Sequence, residues 1–253
     1  FVPIEKIPDK VKHAFIAAED KHFYTHSGID YIGIVRAVLG NLKKIGTGRR
    51  PAGASTITQQ VAKNFLLSSE LSYTRKIKEA ILARRIDKAF SKDHILELYL
   101  NEIYLGNRAY GVAAAAMNYF GKSLDDLTLD EIAYLAALPK GPNNYNPKTH
   151  YDAAVARRNW VISRMVEDGY ADEKEAEEAK KRPLKVVERK SGFLKDTEYY
   201  SEEVRRTISR NFGDEALYQG GLIVRTTIDP RLQEIATKAL RKGLLEYDRR
   251  HGW

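Results

Sequence analysis

The chain has 253 residues, 43% of them apolar, which is enough to bury a core in one large domain or two. Its 42 lysines and arginines outnumber its 34 acidic residues, and the formal net charge of +8 favours anionic partners such as nucleic acid, phospholipid head groups or phosphorylated substrates. The lack of cysteine excludes disulfides, thiolate metal sites and a cysteine nucleophile, and no run of 18 apolar residues is present to span a membrane.

The first part of the chain shows helical periodicity. Apolar residues at spacings of three and four predict a helix over 8–20, which ends in the adjacent carboxylates Glu19 and Asp20. A second helix is predicted over 31–45. The glycine-rich, cationic segment 46–53 that follows it has no apolar anchor and is predicted to be a loop.

Six more helices are predicted beyond the segment 53–66, each from its apolar spacing and its start or stop signals. They cover 73–90, the residues between Ser91 and Gly106, 111–119, the residues between Thr128 and Pro139, 151–167 and 172–181. The first of them carries Ile77, Ile81, Ile86 and Ala89 on one apolar side. Every element predicted up to 182 is therefore helical.

Composition changes after 182, and 183–253 is expected to be a linker and the start of a truncated second module. The β-branched segment 220–228 predicts a strand. Asp229 as a cap and Pro230 at the first helical position then predict a last helix. Its inward residues are expected to be Leu232, Ile235, Ala239 and Leu240. The expected fold class is mainly α, with a short C-terminal α+β fragment.

Residues 53–79 concentrate hydroxyls, amides and cations more than any other stretch. Six polar residues at spacings of three and four are predicted to lie on one stripe of a helix. They are Ser55, Thr56, Gln59, Gln60, Lys63 and Asn64. With Arg75 and Lys76 beyond it, this stripe suits an anionic ligand with sugar hydroxyls at one end and phosphates at the other. A capped amphipathic helix with a solvated face is the structural alternative.

The stretch EDKHFYTHSG at 19–28 places two carboxylates at a helix end. Adjacent carboxylates point in different directions, so only one of them faces a cleft, and we assign that position to Glu19 as a general base. An ordinary charged helix end is the alternative. His22 and His26 have the spacing of zinc ligands, but the following Ser-Gly indicates that the helix has already ended. A structural His26 is favoured, and His22 receives no role.

Glu79 and Tyr99 are the remaining candidates. Glu79 follows Arg75 by four positions, so it forms either a helical ion pair or a second carboxylate across the cleft from Glu19. Tyr99 fits the core as well as a site. The sequence lacks the motifs of several other kinds of site. No Ser-x-x-Lys accompanies Lys190-Ser191-Gly192, as an acyl-transfer site of the penicillin-interacting kind would require, and there is no P-loop or dinucleotide fingerprint.

Four stretches together resemble the peptidoglycan glycosyltransferase (family 51) domain of bifunctional class A penicillin-binding proteins. They are EDKHFYTHSG at 19, GASTITQQVAKN at 53, RKIKE at 75 and ILELYLNEIYLG at 95, and RRNWVISRM at 157 is a fifth. The five stretches occur in the same order as in the family, and the resemblance covers about residues 8–180. The resemblance implies a lysozyme-like helical fold over 1–182, with a larger head lobe and a smaller membrane-facing jaw at about 29–52, and a transpeptidase module beginning in 183–253.

The resemblance also implies an activity, the polymerisation of lipid II by inverting transfer with release of undecaprenyl pyrophosphate. Glu19 is then the base for the acceptor 4-hydroxyl, and Glu79 the second carboxylate. Lys63, Arg75 and Lys76 hold the pyrophosphate. The implied contacts to sugar or phosphate, or their supports, are Phe23, His26, Ser55, Thr56, Gln59, Gln60 and Tyr99.

A divalent cation, Mg or Mn, is implied as a possible cofactor with Asp20 as its ligand, and no organic cofactor. The implied partners are lipid II, the lipid-linked glycan strand, the membrane surface and the protein's own transpeptidase domain, with no nucleic acid. The implied location is the extracytoplasmic face of the bacterial cytoplasmic membrane, with an N-terminal anchor outside this chain.

Two other classes of protein fit part of the sequence. A lysozyme-like glycan-cleaving enzyme also uses a cleft glutamate, but it has no use for Lys63, Arg75 and Lys76 beside a leaving pyrophosphate. A helical nucleic-acid-binding module would explain the charge, but no recognition-helix signature or interleaving of aromatic and basic residues is present.

The helix at 31–45 has the pattern of an interfacial helix. Its apolar stripe has a basic border, because cations follow the helix end. The stripe consists of Ile32, Val35, Leu39 and Leu42, and the border of Lys43, Lys44, Arg49 and Arg50. Packing of the same stripe into a core is the alternative.

Overall fold

The computed structural model describes residues 1–42, 55–66, 73–187, 197–219, 224 and 226–252. In these ranges the chain forms eleven α-helices and two short 3-10 helices, and no strand beyond one isolated bridge between Tyr104 and Tyr110. The α-helices are α1 Asp9–Glu19, α2 Tyr31–Leu42, α3 Ile57–Leu66, α4 Tyr73–Ala89, α5 Lys92–Glu102, α6 Val112–Phe120, α7 Leu129–Ala137, α8 Tyr151–Glu167, α9 Glu173–Lys181, α10 Glu198–Gln219 and α11 Pro230–His251. The predicted mainly α fold class is confirmed.

Side-chain caps set several of the helix starts. Ser91 accepts a hydrogen bond from the backbone N–H of His94 at the start of α5. Thr128 and Glu131 form the capping box predicted at the start of α7. Asp172 accepts from the second and third backbone N–H groups of α9. These contacts satisfy N–H groups that have no partner inside a helix, which explains why the sequence located these boundaries well.

The core of the first part of the chain is built around α7. Nearly every residue of this helix is buried, and α1 and α8 both pack against it. α3 packs against α4 and α5, and α5 contributes its whole predicted stripe to the core. That stripe is Ile95, Leu96, Tyr99, Leu100 and Ile103. The packing fixes the C-terminal end of α1 beside the helices that carry the polar candidates.

α4 packs differently from a simple amphipathic helix. Ala83 and the carboxylate-bearing Glu79 face inward, whereas Ile77 and Ile81 are at least half exposed. Of the apolar side predicted from the sequence, Ile86 packs against the core, and the other members lie on the surface. Periodicity identifies which residues share a face, but the neighbouring helix decides which face is covered.

The chain divides into two compact units, Phe1–Glu188 and Arg189–Trp253. The second contains α10, interrupted at Gly213 with φ 83°, and α11, which begins as predicted at Asp229 and Pro230. None of the α11 residues is buried, so the prediction that its apolar stripe faces inward is wrong. The predicted strand 220–228 lies partly outside the described residues, and its described part is not a strand.

α2 ends at Leu42, within the predicted helix 31–45. The predicted loop 46–53 and the basic residues after α2 lie outside the described ranges, as do the side chains of Leu39 and Leu42. The first turns of α2 are exposed at Tyr31, Ile32 and Val35. Among the described helices, none is long and apolar enough to cross a membrane.

Candidate active site

Glu19 is the last residue of α1, and the chain changes direction directly after it. The backbone N–H of Asp20 still donates to the carbonyl of Ile16 at 2.9 Å, but its φ of −157° is extended, so the helix cannot continue. The apolar face of α1, which includes Phe15, is buried. Burial of that face fixes the helix, and with it the position of the carboxylate at its end.

The carboxylate of Glu19 has a neutral hydrogen-bond donor and two cations in its surroundings. Gln60 Nε2 of α3 donates to Oε2 at 2.9 Å. Burial raises the pKa of Glu19 above its ordinary value, and the Gln60 hydrogen bond and the charges of Arg157 and Lys140 offset part of the rise. A carboxyl group with a raised pKa binds a proton more readily, as a general base must.

Asp20 belongs to a buried polar cluster. His26 Nε2 lies 3.0 and 2.9 Å from its two oxygens, and the backbone N–H of Ile57 donates to Oδ2 at 3.0 Å. The backbone N–H of Gly28 donates to His26 Nδ1 at 3.1 Å. The proton of a neutral His26 therefore lies on Nε2. The cluster ties the end of α1 to the start of α3.

Thr56 continues this cluster and caps α3. Its hydroxyl donates to the carbonyl of Gly28 at 2.7 Å and accepts from the backbone N–H of Gln59, whose side-chain oxygen accepts from the backbone N–H of Thr56. This is the reciprocal arrangement of a capping box. Ser55 and Thr56 thus precede α3, so the prediction that both lie on a helical stripe is wrong. The Thr-x-x-Gln spacing at 56–59 is the sequence signature of a capping box and indicates the start of the helix.

Several residues proposed as ligand contacts are buried in this region. The affected side chains are Phe23, His26, Thr56, Gln59 and Tyr99. Phe23 packs against Tyr24 and His26, and Lys92 Nζ lies 4.9 Å from its ring centroid. Burial of these side chains agrees with the second of the two implied roles, that of supports beneath the site.

The surroundings of Asp20 do not fit a divalent cation. Mg and Mn prefer several oxygen ligands, whereas both oxygens of Asp20 already accept hydrogen bonds from nitrogen donors. In the described residues, no three histidine, aspartate or glutamate side chains cluster as metal ligands would. The surroundings of Asp20 are those of a buried hydrogen-bond acceptor rather than of a metal ligand.

Glu79 lies on α4 and is paired with a cation. Only 2% of its surface is exposed, and Lys76 forms a short ion pair with its Oε1. Lys76 Nζ also donates to the hydroxyl of Ser55 at 2.8 Å, and about half of the Lys76 side chain remains exposed. Lys76 is thus an ion-pair partner of Glu79 in the structure, and its half-exposed side chain leaves room for a ligand.

The other two predicted cations lie on the same pair of packed helices. α4 packs against α3, as their convergence on one ligand requires. Lys63 is exposed on the last turn of α3, and Arg75 is half-buried on the first turn of α4. The structure therefore places these cations on two adjoining helices, and Lys76 reaches the start of α3 through its contact with Ser55.

Arg157 is a site residue that sequence reasoning missed. It lies on α8, its charge acts on Glu19, and its guanidinium stacks 3.8 Å from the ring centroid of Trp160. Burial lowers the pKa of Arg157, and Glu19 opposes that shift. The Arg-x-x-Trp spacing at 157–160 indicates a cation–π pair on one helix, but nothing local links it to a carboxylate far away in the chain.

Residues 1–166 match the family model described as transglycosylase. The chain belongs to this family, the glycosyltransferase domain of class A penicillin-binding proteins. Among named relatives, it is 50% identical to penicillin-binding protein 1A of Rickettsia felis over 254 residues, which is all of this chain and 32% of that protein. It is 46% identical to penicillin-binding protein 1A of Escherichia coli over 252 residues, covering 29% of that protein.

The chain thus spans about a third of the length of these relatives. A crystal structure of penicillin-binding protein 1A from Haemophilus influenzae also aligns, with 32% sequence identity, a TM-score of 0.46, and coverage of all of this chain and 27% of that one.

Proposed function

We propose that this chain polymerises lipid II into glycan strands by inverting β-1,4 glycosyl transfer, with release of undecaprenyl pyrophosphate. The observation that carries the proposal is the environment of Glu19. Its carboxylate lies at the end of α1, burial raises its pKa, and the Gln60 amide donates a hydrogen bond to it. A base of this kind takes a proton from a sugar hydroxyl.

In the proposed step, Glu19 takes the proton of the acceptor 4-hydroxyl while that oxygen attacks the anomeric carbon of the lipid-linked donor. The new bond forms between the oxygen and the anomeric carbon. The bond from that carbon to the pyrophosphate oxygen breaks, and the bonding electrons leave with the pyrophosphate. Attack from the side opposite the leaving group inverts the anomeric centre.

The leaving pyrophosphate gains negative charge, which we propose is stabilised by Lys63, Arg75 and Lys76. The position of Lys76 supports this role, because Glu79 and Ser55 fix its ammonium group while half of the side chain stays exposed. In this account Glu79 positions the lysine and takes no proton. A hydrolase needs no such cations, so their presence favours the transferase.

Because the substrate is linked to a lipid, the enzyme must act at the surface of a bilayer, and we propose that α2 and α4 contact the bilayer. Tyr31, Ile32 and Val35 of α2 and Ile77 and Ile81 of α4 are all at least half exposed. Arg84 of α4 lies within 3.4 Å of the Tyr31 hydroxyl, so the two helices adjoin. Exposed apolar side chains beside cations are the pattern of a membrane-surface element.

We further propose that the full-length protein carries a transpeptidase domain after this chain and works on the extracytoplasmic face of the cytoplasmic membrane. The support is the family, together with the greater length of the penicillin-binding relatives.

The test is incubation of the chain with labelled lipid II in detergent, followed by separation of polymer from precursor. In parallel, the chain is incubated with preformed glycan strands. The transferase predicts polymer from lipid II and intact strands. Shortened strands without polymer would identify a lysozyme-like enzyme instead. The absence of both reactions would refute both functions.

A further inference from the structure

Tyr99 is a buried side chain that the proposed step does not use. It lies on α5, only 1% of its surface is exposed, and its hydroxyl has no hydrogen-bond partner among the described residues. Buried polar groups without a partner are uncommon in folded proteins because they lose their hydrogen bonds to water. This hydroxyl therefore calls for an explanation other than packing, since phenylalanine would fill the same space.

The surroundings of Tyr99 include the C-terminal half of α1. Its ring meets Phe15 edge to face, with the centroids 6.2 Å apart. Phe15 precedes Glu19 by four residues on α1, so the two side chains lie on the same face of that helix. The carboxylates of Glu19 and Asp20 both act electrostatically on the hydroxyl. Two acceptors are thus in its vicinity.

One of these acceptors is already engaged. Asp20 accepts hydrogen bonds from His26 Nε2 and from the backbone N–H of Ile57. Glu19 accepts from Gln60, and an ionised carboxylate has room for further donors. Burial raises the pKa of Tyr99 well above its ordinary value, and both carboxylates add to the rise, so its hydroxyl keeps its proton and serves as a donor.

We propose that Tyr99 is a positioning residue for Glu19, whose buried hydroxyl donates to the carboxylate from beneath when substrate displaces water from the cleft. A desolvated carboxylate needs donors to stay ionised and correctly aimed before it takes a proton. Gln60 supplies one donor from α3, and Tyr99 supplies the second from α5. The inference rests on the proposed role of Glu19 as the base.

The test compares Tyr99→Phe with Tyr119→Phe, a matched control on α6. The hydroxyl of Tyr119 is buried and donates to the carbonyl of Leu105 at 2.9 Å. Tyr99→Phe removes an unpartnered hydroxyl, so its melting temperature should equal or exceed that of the parent chain, whereas Tyr119→Phe should melt at a lower temperature. With lipid II, Tyr99→Phe should lower kcat about 10-fold at unchanged KM, and Tyr119→Phe should change neither.

A second arm places both variants in the Glu19→Gln background. If Tyr99 acts through Glu19, Tyr99→Phe has no further effect on the residual rate there. A parent-like kcat for Tyr99→Phe, a changed KM instead of kcat, or a joint loss of kcat and melting temperature would each overturn the inference. An inactive Glu19→Gln beside a fully active Tyr99→Phe would refute this inference alone, whereas a fully active Glu19→Gln would refute the proposed base.

Discussion

The end of α1 and the first turns of α4 each bring a carboxylate to the candidate site, but they hold it differently. Glu19 accepts a hydrogen bond from a neutral amide, and burial raises its pKa. Glu79 is almost fully buried and forms an ion pair with Lys76. A carboxylate paired with a cation positions that cation, whereas we propose that the desolvated carboxylate of Glu19 accepts a proton. The difference separates a base from an anchor.

The largest effect is expected from Glu19→Gln, which keeps the shape and the contact with Gln60 but cannot accept a proton. We expect kcat for polymerisation to fall by at least about 100-fold, within the range for loss of a general base. Binding of lipid II should survive. Radiolabelled polymer formed at saturating substrate measures the change, and near-parental turnover would remove Glu19 from the mechanism and erase the distinction from Glu79.

A second effect concerns the cluster beneath Glu19. Asp20→Ala leaves the Nε2–H of His26 and the backbone N–H of Ile57 without their acceptor, and we expect the free energy of unfolding to fall by about 2 kcal/mol. Urea denaturation measures it. The control is Asp9→Ala, an exposed carboxylate on α1, which should stay within about 0.5 kcal/mol of the parent. Equal stability of the two variants would show that the cluster does not hold the site together.

On the α4 side, Lys76→Ala should raise KM for lipid II about 10-fold, because one charge-assisted contact to the pyrophosphate is lost. Lys78→Ala is the matched control, an exposed lysine two positions further along the same helix. Binding of a neutral glycan should not change in either variant. If the two lysine variants raise KM equally, general charge rather than a positioned cation accounts for the affinity.

A smaller effect is expected at the exposed face of α2. The double change Ile32→Ser and Val35→Ser should weaken binding to anionic vesicles about 5-fold, since both side chains would lose apolar burial in the bilayer. Sedimentation with vesicles at rising salt measures it. Met117→Ser, an exposed apolar residue on α6, should bind like the parent. Unchanged sedimentation of the double variant would rule out this face as the membrane contact.

Much of the fold could be predicted because local signals decide it. Caps and stop residues located α5, α7 and α9, and periodicity identified the buried stripe of α5. The predictions for α4 and α11 were less successful for a common reason. Both helices have apolar residues at helical spacing, but whether a face is buried depends on neighbours that spacing does not reveal. α10 was not predicted at all.

In the candidate site, Glu19 was selected from its place at a helix end, and its burial and the contact with Gln60 needed the tertiary structure. The same holds for Asp20, whose cluster with His26 replaces the expected metal ligand. Arg157 was missed because residues so far apart meet only through the packing of α1 against α8. Sequence spacing shows which residues share a face of one helix, whereas the candidate site is built from residues of several helices.

The most direct test of Glu19 as a base is the pH dependence of kcat/KM, which reports groups of the free enzyme. Glu19 must be ionised to act, so activity falls as pH drops through its pKa, which burial raises above the ordinary 4.5. We predict a one-proton acid limb with its midpoint above 4.5, which moves higher in Gln60→Leu because the donor that favours the charged form is lost. A midpoint at or below 4.5, a downward move in Gln60→Leu, or the same limb in the residual activity of Glu19→Gln would contradict the account.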